Sequence, residues 1–198
     1  MHFSSERPGS NLVVIGDDQL DGLIITGLAG EALLDAVRAQ RGDPRYGHYP
    51  LFAATSGPPA DGVHGAELEL LLDGIVEDEE QAAAAAAEHW RQVDGQHALP
   101  ASTPEARLLS YLALRPSRSL APLRDWRSAT VYRYPLLAVL GADENGESLP
   151  VLAARGLLVR RQLVERLRLC PGCGVAHLLF VDTCPNCGRI DIAADVSI

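Results

Sequence analysis

The sequence predicts a mixed α/β protein (α+β or α/β) in three parts: an α/β unit over residues 1–95, a helical segment over residues 100–169 and a cysteine-rich ribbon over residues 170–198. Two observations define the first boundary. Short apolar runs alternate with helical patterns in the first half, which is typical of α/β units, and this alternation stops at a linker-like stretch from Asp94 to Pro100. A third observation, the position of all four cysteines, defines the ribbon.

The first half supplies the α/β pattern. Residues 12–15, 23–26 and 50–55 are short, largely apolar runs ended by Gly, Asp or Pro, which predicts buried strands. Residues 31–41 carry Leu and Val at helical spacing before Gly42, which predicts a helix. Residues 68–76 are compatible with either a strand or a helix.

An alanine-rich stretch closes this half. It follows the acidic residues 78–80 and predicts a helix to about Val93, because acidic side chains at a helix N-terminus complement the helix dipole and Ala has high helix propensity.

The second half predicts three helices followed by two paired strands. Thr103 and Pro104 are a capping residue and a first-turn proline, and helical stretches follow at residues 135–140 and 148–154. Residues 157–159 and 163–169 alternate like paired strands. Three helices and a hairpin are the element order of a winged helix.

Charge is distributed unequally. Residues 1–100 carry 17 acidic and 5 basic residues, whereas residues 101–198 carry 9 acidic and 12 basic residues. All of these basic residues are Arg, and the sequence contains no Lys. A winged helix with basic side chains beside its hairpin can grip phosphates, which makes nucleic-acid binding an alternative function, although the acidic half would repel DNA. The side chains concerned are Arg155, Arg160, Arg161, Arg166 and Arg168.

We expect a cytoplasmic protein with no membrane association. The first residues show no basic segment followed by an apolar run, and no stretch approaches the ~18 consecutive apolar residues of a membrane span.

The cysteines form two turns of the form Cys-Pro-x-Cys-Gly: Cys170 with Cys173, and Cys184 with Cys187. Ten residues separate the two pairs. A two-residue turn allows two thiolates to converge on one tetrahedral ion, so the sequence predicts one structural Zn²⁺ held by all four sulfurs. Residues 177–181 are long enough for the strand that joins the turns.

Other uses of these cysteines remain open at this point. Two disulfides are disfavoured in a reducing compartment, and a thioredoxin-like role does not fit a duplicated motif outside a βαβ unit. A catalytic zinc needs an open coordination position, which four Cys ligands close. His177 is a candidate fifth ligand, although a hydrogen-bonded strand residue is the simpler interpretation.

The second half resembles the thaumarchaeal (Tack) output domain family over roughly residues 100–198. The resemblance is carried by the two cysteine turns with His177-Leu178 between them, by the closing residues 190–192, and by residues 132–137 and 152–158 upstream. It implies a metal-chelating output module of prokaryotic signalling proteins, with signalling proteins as partners and no assigned reaction.

The first half resembles the later part of a response-regulator receiver, over the strand–helix–strand pattern of residues 23–55. A working receiver needs an acceptor Asp at a strand end and a Lys on a later strand. Here Thr26 takes the acceptor position and the chain has no Lys. The resemblance therefore implies a pseudo-receiver that docks partners without being phosphorylated.

The sequence thus favours a non-enzymatic signalling regulator that acts through protein–protein interaction. The alternative is a zinc-ribbon, winged-helix transcriptional regulator that binds DNA. An enzyme is disfavoured, because the sequence shows no nucleophile elbow and no phosphate-binding glycine loop.

Overall fold

The computed structural model describes residues 11–16, 20–55, 62–93 and 101–176. The linker-like residues 94–100, the predicted strand 177–181 and the second cysteine pair lie outside the described residues. The described elements of the first half, in chain order, are β1 (Leu12–Ile15), β2 (Gly22–Thr26), α1 (Gly30–Gly42), β3 (Leu51–Ala54), α2 (Gly62–Leu71), β4 (Gly74–Val76) and α3 (Glu79–Gln92).

The first half contains one four-stranded sheet in the order β1-β2-β3-β4. Strands β2, β3 and β4 are parallel and are connected through α1 and α2. Strand β1 is antiparallel to β2, with Leu12 opposite Ile25. The predicted α/β unit is therefore present, and residues 68–76, which allowed two readings, divide into the end of α2 and strand β4.

The sheet buries both of its faces because successive side chains of a strand point in opposite directions. On one face, Ile24 and Phe52 pack with Ala82 and Ala86 of α3. On the other face, Leu23 and the side chains of α1 and α2 belong to a larger core. Asp78 caps α3 by accepting a hydrogen bond from the backbone N–H of Gln81 at 2.8 Å.

The second half is built from short elements. They are α4 (Pro104–Ala113), β5 (Leu123–Arg124), β6 (Tyr132–Arg133), α5 (Pro135–Val139) and α6 (Leu149–Ala154). The three predicted helices are confirmed, and the Thr103 hydroxyl caps α4 at the Ala106 N–H, as its sequence position predicts. Strands β5 and β6 pair in an antiparallel hairpin that the sequence did not predict.

The two halves share one hydrophobic core. Leu108 of α4 and Leu137 of α5 are buried in the same cluster as Leu34 of α1 and Leu71 of α2. Both α4 and α5 pack against the sheet-bearing half through this cluster, and α5 contacts α1 and α2, whose side chains share the core with Leu23 of the sheet.

The predicted pairing of residues 157–159 with 163–169 is wrong. Residues 159–169 have no strand or helix assignment, and their apolar side chains are exposed on both sides of the alternation, including Val159 (85%), Leu163 (66%) and Val164 (59%). Period-two alternation specifies a strand only where one face packs against a core, and neither face does so here. The wing of a winged helix is therefore not formed by these residues.

Candidate metal centre and its surroundings

The first cysteine turn is formed as its sequence predicts. The Gly174 N–H donates to the Cys170 carbonyl at 2.8 Å, and the Cys170 N–H donates to the Val175 carbonyl at 2.9 Å. Gly174 has a φ of 73°, a backbone conformation that side-chain-bearing residues seldom adopt. The glycine after the second cysteine thus allows the chain to reverse direction directly behind the thiols.

The turn favours the thiolate form of its first cysteine. The backbone N–H groups of Cys173 and Gly172 point at the Cys170 sulfur, the Cys173 thiol also hydrogen-bonds it, and together they lower the pKa of the Cys170 thiol. Both cysteines are free thiols, with Cys173 exposed and Cys170 partly buried. Thiolate is the form that binds zinc, so this pair fits one half of a tetrahedral site.

The other half of the predicted site, Cys184 and Cys187, lies outside the described residues, as does His177. Within the described ranges, no group of three or more His, Cys, Asp or Glu side chains comes together in a way that can hold a metal ion. The four-sulfur site therefore stays a prediction, supported by the geometry of its first turn.

The turn is attached to the β5–β6 hairpin. The Ala176 N–H donates to the Ala129 carbonyl at 2.8 Å, and Ala129 lies in the loop that joins the two strands. On the approach to the turn, the Tyr132 hydroxyl of β6 donates to Glu165 at 2.5 Å. The first cysteine turn thus lies beside this hairpin.

The hairpin loop, residues 125–131, is held by its own hydrogen bonds. Asp125 accepts from the Arg127 N–H at 3.0 Å and from Arg133 Nε at 2.9 Å, and the Asp125 N–H donates to the Val131 carbonyl at 2.8 Å. Val131 has a φ of 65° although it is β-branched. Such a residue is strained, and it persists only where its surroundings fix the backbone. The hydrogen bonds of Asp125 thus hold the two ends of the loop together.

An ionic chain connects the hairpin to the first half of the protein. Glu67 of α2 is almost fully buried and accepts hydrogen bonds from Arg133 at 2.5 Å and from Arg38 of α1 at 2.7 Å. Burial alone would raise the pKa of Glu67, but the two guanidinium groups outweigh it and lower that pKa. Arg133 bonds both Glu67 and Asp125, so it joins α2 to the hairpin loop.

A second ionic cluster lies at the junction of the two halves. Asp73, between α2 and β4, forms ion pairs with Arg41 of α1 and with Arg115, whose Nε lies 2.7 Å from the carboxylate. Arg118 lies 3.8 Å from the same group. Arg41 and Arg115 also donate to backbone carbonyls, including that of Tyr49. Asp73 thereby connects the end of α2 to the segment after α4.

Sequence analysis missed both ionic clusters. Asp73 and Arg115 are 42 positions apart and occur in segments that carry many other charged residues. The one available signal was position: Asp73 directly precedes the Gly at which β4 begins, within a run of apolar residues, where an unpaired acid would be costly to bury.

The predicted basic side chains are at the surface. The strands predicted beside them are not formed. All five arginines are exposed: Arg155, Arg160, Arg161, Arg166 and Arg168. Two further exposed arginines lie at the hairpin: Arg127 is within the loop, and Arg124 precedes it, with its guanidinium carbon 4.5 Å from the ring centre of Trp126. Trp126 is itself 63% exposed.

The structure also describes Thr26, the residue at the predicted acceptor position of the pseudo-receiver. Thr26 is the last residue of β2, at the carboxyl end of a parallel strand. The antiparallel β1 beside it differs from the parallel strand expected at that place in a doubly wound sheet. Within the described ranges, every helix is too short or too polar to traverse a lipid bilayer.

Comparison with known sequences assigns the second half. The chain matches no curated protein and no solved structure. The sequence model of thaumarchaeal output domain 1 matches residues 96–198, which is more than half of the chain and includes both cysteine turns. The match begins within the predicted linker and extends through α4, the β5–β6 hairpin and the candidate metal centre. The chain therefore belongs to the thaumarchaeal output domain 1 family.

Proposed function

We propose that this protein is a non-enzymatic output module of a signalling pathway, that it carries one structural Zn²⁺, and that it acts through protein–protein interaction. The family match over residues 96–198 carries the proposal, because an output domain transmits a signal to a partner and is typically not catalytic. The partner is a signalling protein, and the protein operates in the cytoplasm of a bacterium or archaeon.

The zinc has a structural role in this proposal. Cys170 and Cys173 bind through the preformed turn, and Cys184 and Cys187 complete a closed tetrahedral shell. Four sulfur ligands leave no position for water or substrate, so the ion stabilises the ribbon and performs no chemistry. Zinc sites of this type supply folding free energy to segments with few apolar residues.

The first half acts as a pseudo-receiver that docks partners. Three parallel strands joined by helices support this role, and Thr26 at the carboxyl end of β2 provides no carboxylate for phosphorylation. The shared core and the Asp73 cluster connect this half to the output half. A conformational change that a partner causes in one half is thereby transmitted to the other half.

Metal analysis of freshly purified, reduced protein tests the zinc. We expect one Zn²⁺ per chain, and Co²⁺ substitution should give intense thiolate-to-metal charge-transfer absorption. Cys184→Ser should lose the ion. His177→Gln is the matched control, because a four-sulfur site retains its metal without that imidazole. Metal-free protein with an ordered ribbon would refute the zinc proposal.

The interaction role is tested separately with the metal-loaded chain used as bait in its own cells. We expect a reproducible set of signalling proteins with the wild-type chain and loss of that set with Cys184→Ser. Partners that are retained without zinc would confine the ion to a local role.

DNA binding is the second candidate function. The exposed arginines of residues 155–168 favour it, because guanidinium groups bind phosphates without regard to base sequence. The acidic first half and the net charge of −9 oppose it. A gel shift over a range of salt concentrations decides: absence of binding at low salt excludes this function.

A further inference from the structure

The β5–β6 hairpin presents an exposed surface that lies outside the two ionic clusters described above. Its loop projects Trp126 and Arg127 to solvent, with Arg124 stacked on the Trp126 ring. The Tyr132 hydroxyl of β6 donates to Glu165, so the segment of residues 163–166 lies beside the hairpin. We call this surface the Trp126 patch and define it by Arg124, Trp126, Arg127, Leu163, Val164 and Arg166.

We propose that the Trp126 patch is the contact surface for the signalling partner and that it binds an acidic, amphipathic protein segment. The inference rests on the proposed protein-binding role and specifies where and with what chemistry that role operates. Trp and Arg are the residue types that most often dominate the binding energy of protein interfaces.

The patch is organised before any partner binds. Asp125 holds the loop through the Arg127 N–H and the Arg133 guanidinium, and Glu67 fixes Arg133 from the other side. The backbone of Val131 has a φ of 65°, a conformation that a β-branched residue keeps only where its surroundings hold it in place. A surface ordered in advance loses less conformational entropy on binding, which favours affinity.

The charges of the patch select an acidic partner. Arg124, Arg127 and Arg166 are exposed. The acidic residue of the same segment, Glu165, accepts a hydrogen bond from the Tyr132 hydroxyl. Planar guanidinium groups bind carboxylates through two parallel hydrogen bonds, which supplies geometric specificity as well as energy.

The apolar part of the patch favours protein over nucleic acid. Leu163 and Val164 are 66% and 59% exposed and are aliphatic, so they can bury apolar side chains but offer no stacking surface to a base. Proteins that bind single strands use successive aromatic side chains with a basic groove, whereas the patch has one aromatic ring. Exposed apolar side chains, a tryptophan and arginines together are a common composition of protein interfaces.

Binding of a fluorescein-labelled peptide of alternating Glu and Leu residues to the full, zinc-loaded chain tests the inference. We expect binding that weakens with salt and is accompanied by a change in tryptophan emission, which can be assigned to Trp126 because Trp90, the other tryptophan, is buried. Trp126→Ala should weaken binding about tenfold or more, as expected for an interface hot spot. Arg127→Glu should weaken it further by charge reversal.

Arg91→Glu is the matched control, because it makes the same charge change on an exposed α3 arginine outside the patch. It should leave peptide affinity unchanged. Failure of the wild-type chain to bind the peptide, or equal affinity of Trp126→Ala and wild type, would overturn the inference. Tighter, Trp126-dependent binding of a labelled oligothymidylate would also overturn it and would assign the patch to nucleic acid.

These outcomes are separable from those of the proposed function. If Trp126→Ala keeps both its zinc and the partners recovered from cells, the patch assignment fails while the output role stands. If the wild-type chain recovers no partners and contains no metal, the proposed function fails regardless of the affinity measured for the peptide. Trp126→Phe, which keeps an aromatic ring at the exposed position, should retain most of the affinity.

Discussion

Asp73 is the residue at which arginines from both halves of the chain meet. Its carboxylate is 9% exposed and forms ion pairs with Arg41, which is fully buried, and with Arg115, which is almost so. Burial alone would raise the pKa of Asp73, but the charges of Arg115 and Arg41 outweigh it and hold that pKa well below its usual range. One buried carboxylate is thus shared by two buried guanidinium groups, and within the described residues the cluster has no second carboxylate.

Asp73→Asn should therefore lower the free energy of unfolding by about 3–5 kcal/mol, because it leaves two buried guanidinium groups without a counter-charge. Urea unfolding followed by circular dichroism measures the change. Asp35→Asn is the control, since Asp35 is exposed and lies 3.4 Å from Arg38; it should stay within about 0.5 kcal/mol of wild type.

The same carboxylate makes a prediction about pH. The pKa of Asp73 is lower in the folded state than the value of about 3.9 in an unfolded chain. Its contribution to stability is therefore complete above about pH 5 and is lost as the pH falls through the unfolded-state pKa to the folded pKa. Asp73→Asn should lack this part of the acid dependence, and parallel stability curves for the two proteins would contradict the assignment.

At the scale of elements, Glu67 ties α1, α2 and β6 together. Replacing it with Gln removes a charge that two arginines share, so we expect a loss of about 1.5–3 kcal/mol, as for hydrogen bonds to charged groups. The specific effect should appear in the hairpin loop, where the amides of Asp125 and Val131 are hydrogen-bonded. Hydrogen exchange at these amides should accelerate.

Glu69→Gln provides the comparison for Glu67→Gln. Glu69 lies two positions along the same helix and is exposed. Its replacement makes the same chemical change and should leave loop exchange as it is. Equal exchange rates in all three proteins would mean that the hairpin loop is ordered without the ionic chain.

The elements that local sequence specifies were predictable. Strands β1, β2 and β3 and the helices α1 and α3 follow from apolar periodicity and capping residues, because these signals act within a few positions. The division of residues 68–76 into helix and strand was not predictable, because Asp73 at the boundary forms ion pairs with arginines that are distant in sequence.

The second half shows the same limit more strongly. Residues 163–169 alternate as a strand would, but alternation does not specify a partner, and the structure gives them no core to cover. The β5–β6 hairpin has only two residues in each strand and is fixed by Asp125 and Arg133, so its periodicity is too short to detect. Of the candidate site, the cysteine turn was predictable from spacing, whereas its attachment to Ala129 was not.

At the scale of the whole molecule, the two halves share a core and should unfold together. Leu137 of α5 is fully buried among side chains of both halves. Leu137→Ala should lower the unfolding free energy by about 2–5 kcal/mol and shift every probe equally. Trp90, which donates to the Asp21 carbonyl at 2.6 Å, reports on the first half, and far-UV circular dichroism reports on both.

Val151→Ala is the matched control for Leu137→Ala, because Val151 is 59% exposed on α6. It should leave the transition nearly unchanged. A fluorescence transition of Trp90 that stays at the wild-type position in Leu137→Ala while the circular dichroism signal shifts would show that the halves unfold separately.

Metal removal should separate the ribbon from this core. The first cysteine turn contacts the hairpin through the Ala176–Ala129 hydrogen bond, and its thiols lie outside the described hydrophobic clusters. A strong chelator should therefore abolish amide protection at Cys170, Gly174 and Ala176, while Trp90 emission and most of the far-UV signal remain. Asp73→Asn should give the opposite result, with a destabilised core and retained zinc. Global unfolding on chelation would mean that the ion stabilises the shared core as well as the ribbon.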